Sequence, residues 1–231
     1  REIRDSKTGP KVYRYSDLTF ILAAEIVESL TDTTIDRFAP LNIYRPIGAF
    51  DITYNPYEKY PVERIVPTEH DSLFRRQLVR GTVHDENAAM LGGVSGHAGL
   101  FATGNDLMKL MEMYRRGGEY GGERILSADV LREYTRVQYP ENENRRGLGF
   151  DKPLLGNDTL PPEEAYPAIS ASPASFGHSG FTGTFVWIDP DAGITYVFMS
   201  NRVYPSRRNN KISDLSIRGA ILQAAYDSMI E

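Results

Sequence analysis

Phe176-Gly177-His178-Ser179-Gly180-Phe181-Thr182-Gly183-Thr184 runs without a break into Phe185-Val186-Trp187-Ile188. Three glycines and three hydroxyl residues fall within nine positions, beside the only tryptophan of the chain. Glycine permits close backbone approach and φ values closed to other residues. The alternation that follows predicts a β-strand. A strand edge punctuated in this way either carries a β-bulge or presents backbone N–H groups to a developing anion. Spacing alone leaves both readings open.

Downstream, residues 184–188 and 194–200 read as two alternating strands. They are joined by Asp189-Pro190-Asp191-Ala192-Gly193, a hairpin connection with Pro and Gly in turn roles. Residues 212–229 close the chain as an amphipathic helix, with Leu215, Leu222, Ala225, Tyr226 and Met229 on one side. Upstream, residues 153–175 hold five prolines and read as surface loop. Leu148-Gly149-Phe150 reads as a strand after a polar loop over 138–146.

The first half is helical in pattern. Tyr15-Ser16-Asp17 precedes a helix whose Leu18, Ile21, Leu22, Ile26 and Leu30 share one face. Ser16 or Asp17 is expected to cap it. Tyr15 then sits at a helix N-terminus, where the macrodipole favours an anion, or it merely staples the helix start. A second short helix is expected over 33–43, before Pro46 and Gly48. Residues 51–80, rich in Tyr, Pro and charge, read as a long wrapping loop. Residues 83–91 form a short helix stopped by Gly92-Gly93, and Gly96 to Phe101 a tight turn into an extended piece. Thr103 or Asn105 caps a helix over 106–116 that carries Leu107, Leu110, Met111 and Tyr114 and ends at Gly117-Gly118. Ser127 caps another over 128–137.

Helices first and antiparallel strands later make this an α+β chain rather than an alternating one. The expected division is a mainly helical lobe over 1–146, and strands plus a C-terminal helix over 147–231, together one domain. Three strands make a thin sheet, so further strands are expected to precede residue 1. The opening Arg1-Glu2-Ile3-Arg4-Asp5, with no initiating methionine, reads as a cut inside a longer protein.

Composition excludes several functions. The net charge is −5 with both signs interspersed, so nothing marks a nucleic-acid surface. No apolar run reaches the length of a membrane span. With no cysteine there are no disulfides, no thiolate catalysis and no Cys-ligated zinc. His70, His84 and His97 invite a metal reading. However, no spacing places two of them on one helix face, so caps, loop hydrogen bonds or core histidines are favoured. The expectation is no metal and no cofactor. Gly-x-Ser-x-Gly is missing, as is a phosphate-cradling glycine loop.

The order of the motifs is more specific. Tyr15-Ser16-Asp17 opens a helix near the start, and His178-Ser179-Gly180 opens a strand near the end. Val83-His84-Asp85 and the stretch from Gly92 to Phe101 lie between them. This combination resembles the serine β-lactamase and penicillin-binding-protein superfamily, in its class C and esterase-like branch, across essentially the whole chain. The resemblance implies a β-lactamase/transpeptidase-like fold and hydrolysis of an ester, amide or peptide bond through an acyl-serine. It implies catalytic roles for Tyr15, which activates the nucleophile and protonates the leaving group, and for His178, in the place of the lysine of Lys-Thr-Gly. Phe181 would offer its backbone N–H to the oxyanion. Asp17 (usually Asn), Ser179, Gly180 and Thr182 would contact substrate.

One departure is large. The residues three before Lys7, Lys11, Lys59, Lys109, Lys152 and Lys211 are Arg4, Thr8, Pro56, Asp106, Gly149 and Arg208, so the Ser-x-x-Lys nucleophile pair is not in these 231 residues. Lys7-Thr8-Gly9 stands in the wrong order to be the cleft motif. The chain is therefore expected to be a C-terminal portion, inactive alone, of an exported, periplasmic or cell-envelope enzyme acting on a small-molecule or peptidoglycan-like substrate. The alternative is a non-catalytic peptidoglycan- or acyl-ligand-binding module. An upstream glycoside hydrolase domain and self-association through an exposed sheet edge are further expectations.

Overall fold

The computed structural model describes residues 13–229. The opening Arg1–Asp5 and Lys7-Thr8-Gly9 lie outside them. Three antiparallel strands form the centre: β5 (Phe176–Ser179), β6 (Phe185–Asp189) and β7 (Ile194–Phe198), in that spatial order. The register pairs His178 with Val186 and Trp187 with Tyr196.

Side chains alternate across a strand, and here both faces are covered. Ile188 and Phe176 pack with Leu110, Met111 and Met113 of the helix α4 (Gly104–Arg115), joined by Tyr44, Ile47 and Ile52 from the first half. Phe185 and Trp187 point the other way, onto Ala168, Ala171 and the helix α7 (Ile217–Asp227) through Leu222 and Tyr226. The sheet is thus the middle layer between two helices, an α+β architecture. Gly177 is required by this packing: a Cβ there would stand 2.5 Å from the Trp187 ring and 2.1 Å from the Val186 carbonyl oxygen.

Three N-terminal caps are made as side-chain chemistry dictates. Thr103 accepts from the Asp106 N–H to start α4, and Ser127 from the Val130 N–H to start α5 (Ala128–Thr135). Asp85 accepts from the Ala88 N–H to start α3 (Glu86–Met90).

Several expectations are corrected. Residues 51–80 are not a plain loop: β1 (Pro67–Asp71) and β2 (Gln77–Arg80) form a hairpin there. Asp71 fixes its turn by accepting from the Leu73, Phe74 and Arg75 N–H groups. A second small hairpin, β3 (Glu119–Tyr120) with β4 (Glu123–Arg124), follows α4 unforeseen. Leu148-Gly149-Phe150 is not a strand; the pairing falls one residue later, as an isolated bridge between Asp151 and Gly177. The 153–175 segment buries Asn157, Ala168, Ala171 and Ser175 beneath its surface. The closing helix is two pieces, α6 (Lys211–Asp214) and α7, broken at Ser216 with φ +47°. Leu215, beside the break, and Met229, past the end of α7, are exposed.

The helix α1 (Leu18–Thr31) forms as its periodicity predicts, and α2 (Ile35–Ala39) follows. Yet α1 docks through a different side. Its Phe20 carbonyl and Ala24 lie so close to Gly96 that a Cβ on Gly96 would meet them at 2.1 Å and 3.1 Å. Leu18, Ile26 and Leu30 of the predicted face are exposed, Leu30 by 80%. Asp17 stands at the N-cap position without making a side-chain cap bond, while Ser16 Oγ accepts from the Leu18 N–H at 3.3 Å.

Candidate active site

The start of α1 and the end of β5 meet. The Tyr15 and His178 rings lie 6.2 Å apart, centroid to centroid, tilted by 35°. A third side chain, which sequence reasoning missed, joins them. Arg146 sits 5.0 Å over the Tyr15 ring, a cation–π distance. One of its nitrogens is 3.2 Å from His178 Nε2. Nothing in the local spacing around Arg146 marks it, because it enters from the loop after α5. His178 Nδ1 lies 2.9 Å from the Ser179 carbonyl oxygen. Burial lowers the His178 imidazole below its ordinary pKa; the Ser179 carbonyl opposes this and the Arg146 charge reinforces it. Partial burial and the Asp17 carboxylate raise the Tyr15 phenol, against the pull of Arg146.

Beneath Arg146 lies the buried Asp151. It is held by Arg145 at 3.0 Å and reached by Arg146 at 3.6 Å. Both arginines come from the 138–146 loop that reads as featureless in sequence. Charge converging from that loop onto the Asp151–Gly177 bridge fixes it against β5.

Past β5 the chain turns at Gly180–Gly183. Gly180 N–H donates to the Thr184 carbonyl at 2.8 Å, and Gly183 N–H to the Gly180 carbonyl at 3.1 Å. Gly183 holds φ +129°, and a Cβ there would meet the Arg202 nitrogen at 2.9 Å. Arg218 donates to the Gly180 carbonyl at 2.8 Å, and Arg202 to the Phe181 carbonyl at 2.8 Å. In a trans peptide the N–H opposes the C=O, so the Phe181 N–H points away from Arg218. No acceptor meets it among the described residues. The Phe181 side chain is 61% exposed and stacks under the Arg202 guanidinium at 4.4 Å.

His70, His84 and His97 do not converge. His70 stacks on Tyr204 at 5.8 Å. His84 bonds the buried Glu69 at 2.8 Å, and Glu69 is gripped by Arg207 at 2.7 Å. Burial pushes the Glu69 carboxyl up, but the Arg207 hydrogen bonds outweigh it and leave it below the usual range. His97 is held between Ser95 Oγ at 2.8 Å and Asp85 at 2.9 Å. Asp17 approaches this pair, and the ligating atoms of Asp17, Asp85 and His97 lie within 4.8 Å of one another. Two carboxylates and an imidazole are a donor set able to hold a divalent cation. Two surface clefts, of about 360 and about 850 Å³, lie elsewhere; neither is lined by Tyr15, Arg146 or His178.

The family model for β-lactamase matches residues 6–218. The chain belongs to the β-lactamase family. Among curated proteins it is similar to a "Putative D-alanyl-D-alanine carboxypeptidase" of Salmonella schwarzengrund, 33% identical over 230 residues, covering 94% of this chain and 52% of that protein. This β-lactamase-family chain thus spans about half the length of the curated relatives it matches. Its fold is similar to that of a Mycobacterium bovis β-lactamase, with TM-score 0.57 at 18% identity over 93% of this chain and 65% of that one. It is also similar to that of a penicillin-binding protein homolog from Caulobacter crescentus, with TM-score 0.58 at 19% identity over 90% of this chain and 56% of that one. Among the described residues no helix is long and apolar enough to cross a membrane.

Proposed function

We propose that this chain forms one wall of the active site of a cell-envelope serine hydrolase that cleaves ester, amide or peptide bonds through an acyl-serine. The observation that carries the reading is the meeting of the Tyr15 ring with the His178 strand end, three residues before a Phe181 N–H that no acceptor meets among the described residues. In this reading Tyr15 moves the proton between nucleophile and leaving group. The Phe181 N–H supplies one oxyanion donor. Asp17, Ser179, Gly180 and Thr182 line the substrate path. A peptidoglycan-like peptide is the substrate class favoured by the name of the Salmonella relatives.

None of the six lysines here is preceded at the third position by serine, so in this reading the nucleophile pair comes from chain outside these residues. In the same reading the 231-residue protein is inactive by itself. Treatment with a fluorescent penicillin tests this. The 231-residue chain is expected to stay unlabelled, and the complete gene product to label at one serine, with Tyr15→Phe slowing acylation at least a hundredfold. Stoichiometric serine labelling of the 231-residue chain would overturn the assignment of the nucleophile. An unlabelled complete product would favour a non-catalytic ligand-binding module instead.

A further inference from the structure

We infer that Arg146 is a positioning residue that locks His178 as a neutral, non-shuttling imidazole and is itself the fixed positive charge beside Tyr15. The inference rests on the candidate active site proposed above, but its evidence is geometric. A guanidinium has donors only, so the contact of 3.2 Å from Arg146 requires the lone pair on His178 Nε2. A backbone carbonyl has acceptors only, so the contact of 2.9 Å to Ser179 requires the proton on Nδ1. Both ring nitrogens are then committed, and only one tautomer satisfies both.

This removes two roles that an imidazole in this place would otherwise invite. It cannot be the cation of the site, since a second proton on Nε2 would break the Arg146 bond and set two positive charges against each other. Nor is it free to relay protons, because its single proton is held by a carbonyl. Proton traffic is left to Tyr15, whose ring carries the same guanidinium at 5.0 Å. The other charged groups around the cluster are accounted for. Asp151 faces Arg146 at 3.6 Å and is already paired with Arg145 at 3.0 Å. Asp17 adds negative charge on the Tyr15 side. The two arginines against Asp151 leave one net positive charge, and it sits between the phenol and the imidazole.

The test needs no turnover, so it stands or falls apart from serine labelling. Two-bond nitrogen–proton NMR on the histidine-labelled 231-residue protein reads both tautomer and titration. Wild type is expected to show His178 as the Nδ1–H tautomer, with its midpoint below that of a free imidazole. In Arg146→Met the midpoint should rise by about one unit, a tenfold gain in proton affinity, while the neutral form keeps its proton on Nδ1 against the Ser179 carbonyl. Arg146→Lys keeps a donor-only positive charge, so it should hold both the low midpoint and the Nδ1–H tautomer. The Glu69-bonded His84 signal reports whether each variant is folded, and a variant that loses it is replaced by Arg146→Gln. An Nε2–H tautomer in wild type, or an unmoved midpoint in a folded variant lacking the charge, overturns the inference.

Discussion

The two walls that meet at Tyr15 and His178 are built to different standards. The His178 wall is the middle layer of the molecule. Trp187 and Ile188 are completely shielded, and Leu222 and Met113 close the two faces over them. The Tyr15 wall is one helix that buries a single residue, Ala24, and turns Leu18, Ile26 and Leu30 to solvent. Apolar periodicity is equally plain in both segments, yet only one of them finds a partner for its apolar side. Amphipathic spacing reports that a face can be buried, and the neighbouring elements decide whether it is.

Removing a side chain from each wall should expose the contrast. Trp187→Ala is expected to cost about 3–5 kcal/mol, the range for emptying a large aromatic site in a packed core. Denaturant unfolding followed by circular dichroism measures it, and a loss under ~1 kcal/mol would mean that the sheet is not the stable half.

An acid titration sharpens the same point at intermediate size. Glu112 of α4 ties that helix to β7 by accepting from Thr195 at 2.6 Å, and it is paired with Arg115 at 2.6 Å. The Arg115 hydrogen bond foremost, with Thr195 and Arg116 helping against partial burial, brings its carboxyl down to about 2. Because the folded value lies below the unfolded one, this stabilisation is complete above the ordinary glutamate range. It disappears as pH falls from about 5 towards 2. After allowance for solvent screening the amount is on the order of 2 kcal/mol. Glu112→Gln should flatten that part of the stability–pH curve; an unchanged slope would place the acid sensitivity elsewhere.

The smallest effect is expected on the other wall. Leu30→Ala removes an exposed side chain and should change stability by less than about 0.5 kcal/mol. A larger loss in the 231-residue protein would show that the face of α1 is covered in solution, by a second copy or by another part of the chain.

Much of the fold follows from local chemistry. Thr103, Ser127 and Asp85 cap helices because a short side-chain oxygen placed before a helical run satisfies an orphan N–H whatever surrounds it. The hairpin between β6 and β7 and the alternation of Phe185, Val186, Trp187 and Ile188 are equally local. The β1–β2 hairpin was not legible, since its turn depends on the Asp71 carboxylate reaching three N–H groups within a stretch of mixed charge and tyrosine. Arg146 was hidden for a related reason. It lies 32 positions from His178, among polar residues that resemble any solvated loop. The separate fates of His70, His84 and His97 also depend on partners distant in sequence, Tyr204, Glu69 and Asp85.

By itself, then, the sequence determined the main helices, the β6–β7 hairpin, the caps at Thr103 and Ser127, the family, and the order in which a phenol before a helix and a strand-borne imidazole occur. Those are properties of neighbours along the chain, set by backbone hydrogen bonding and side-chain period. Tertiary structure alone decided which side of α1 is covered and which cation stands between Tyr15 and His178. Burial and charge are sums over everything nearby in space, and residues far apart in the chain contribute most of both.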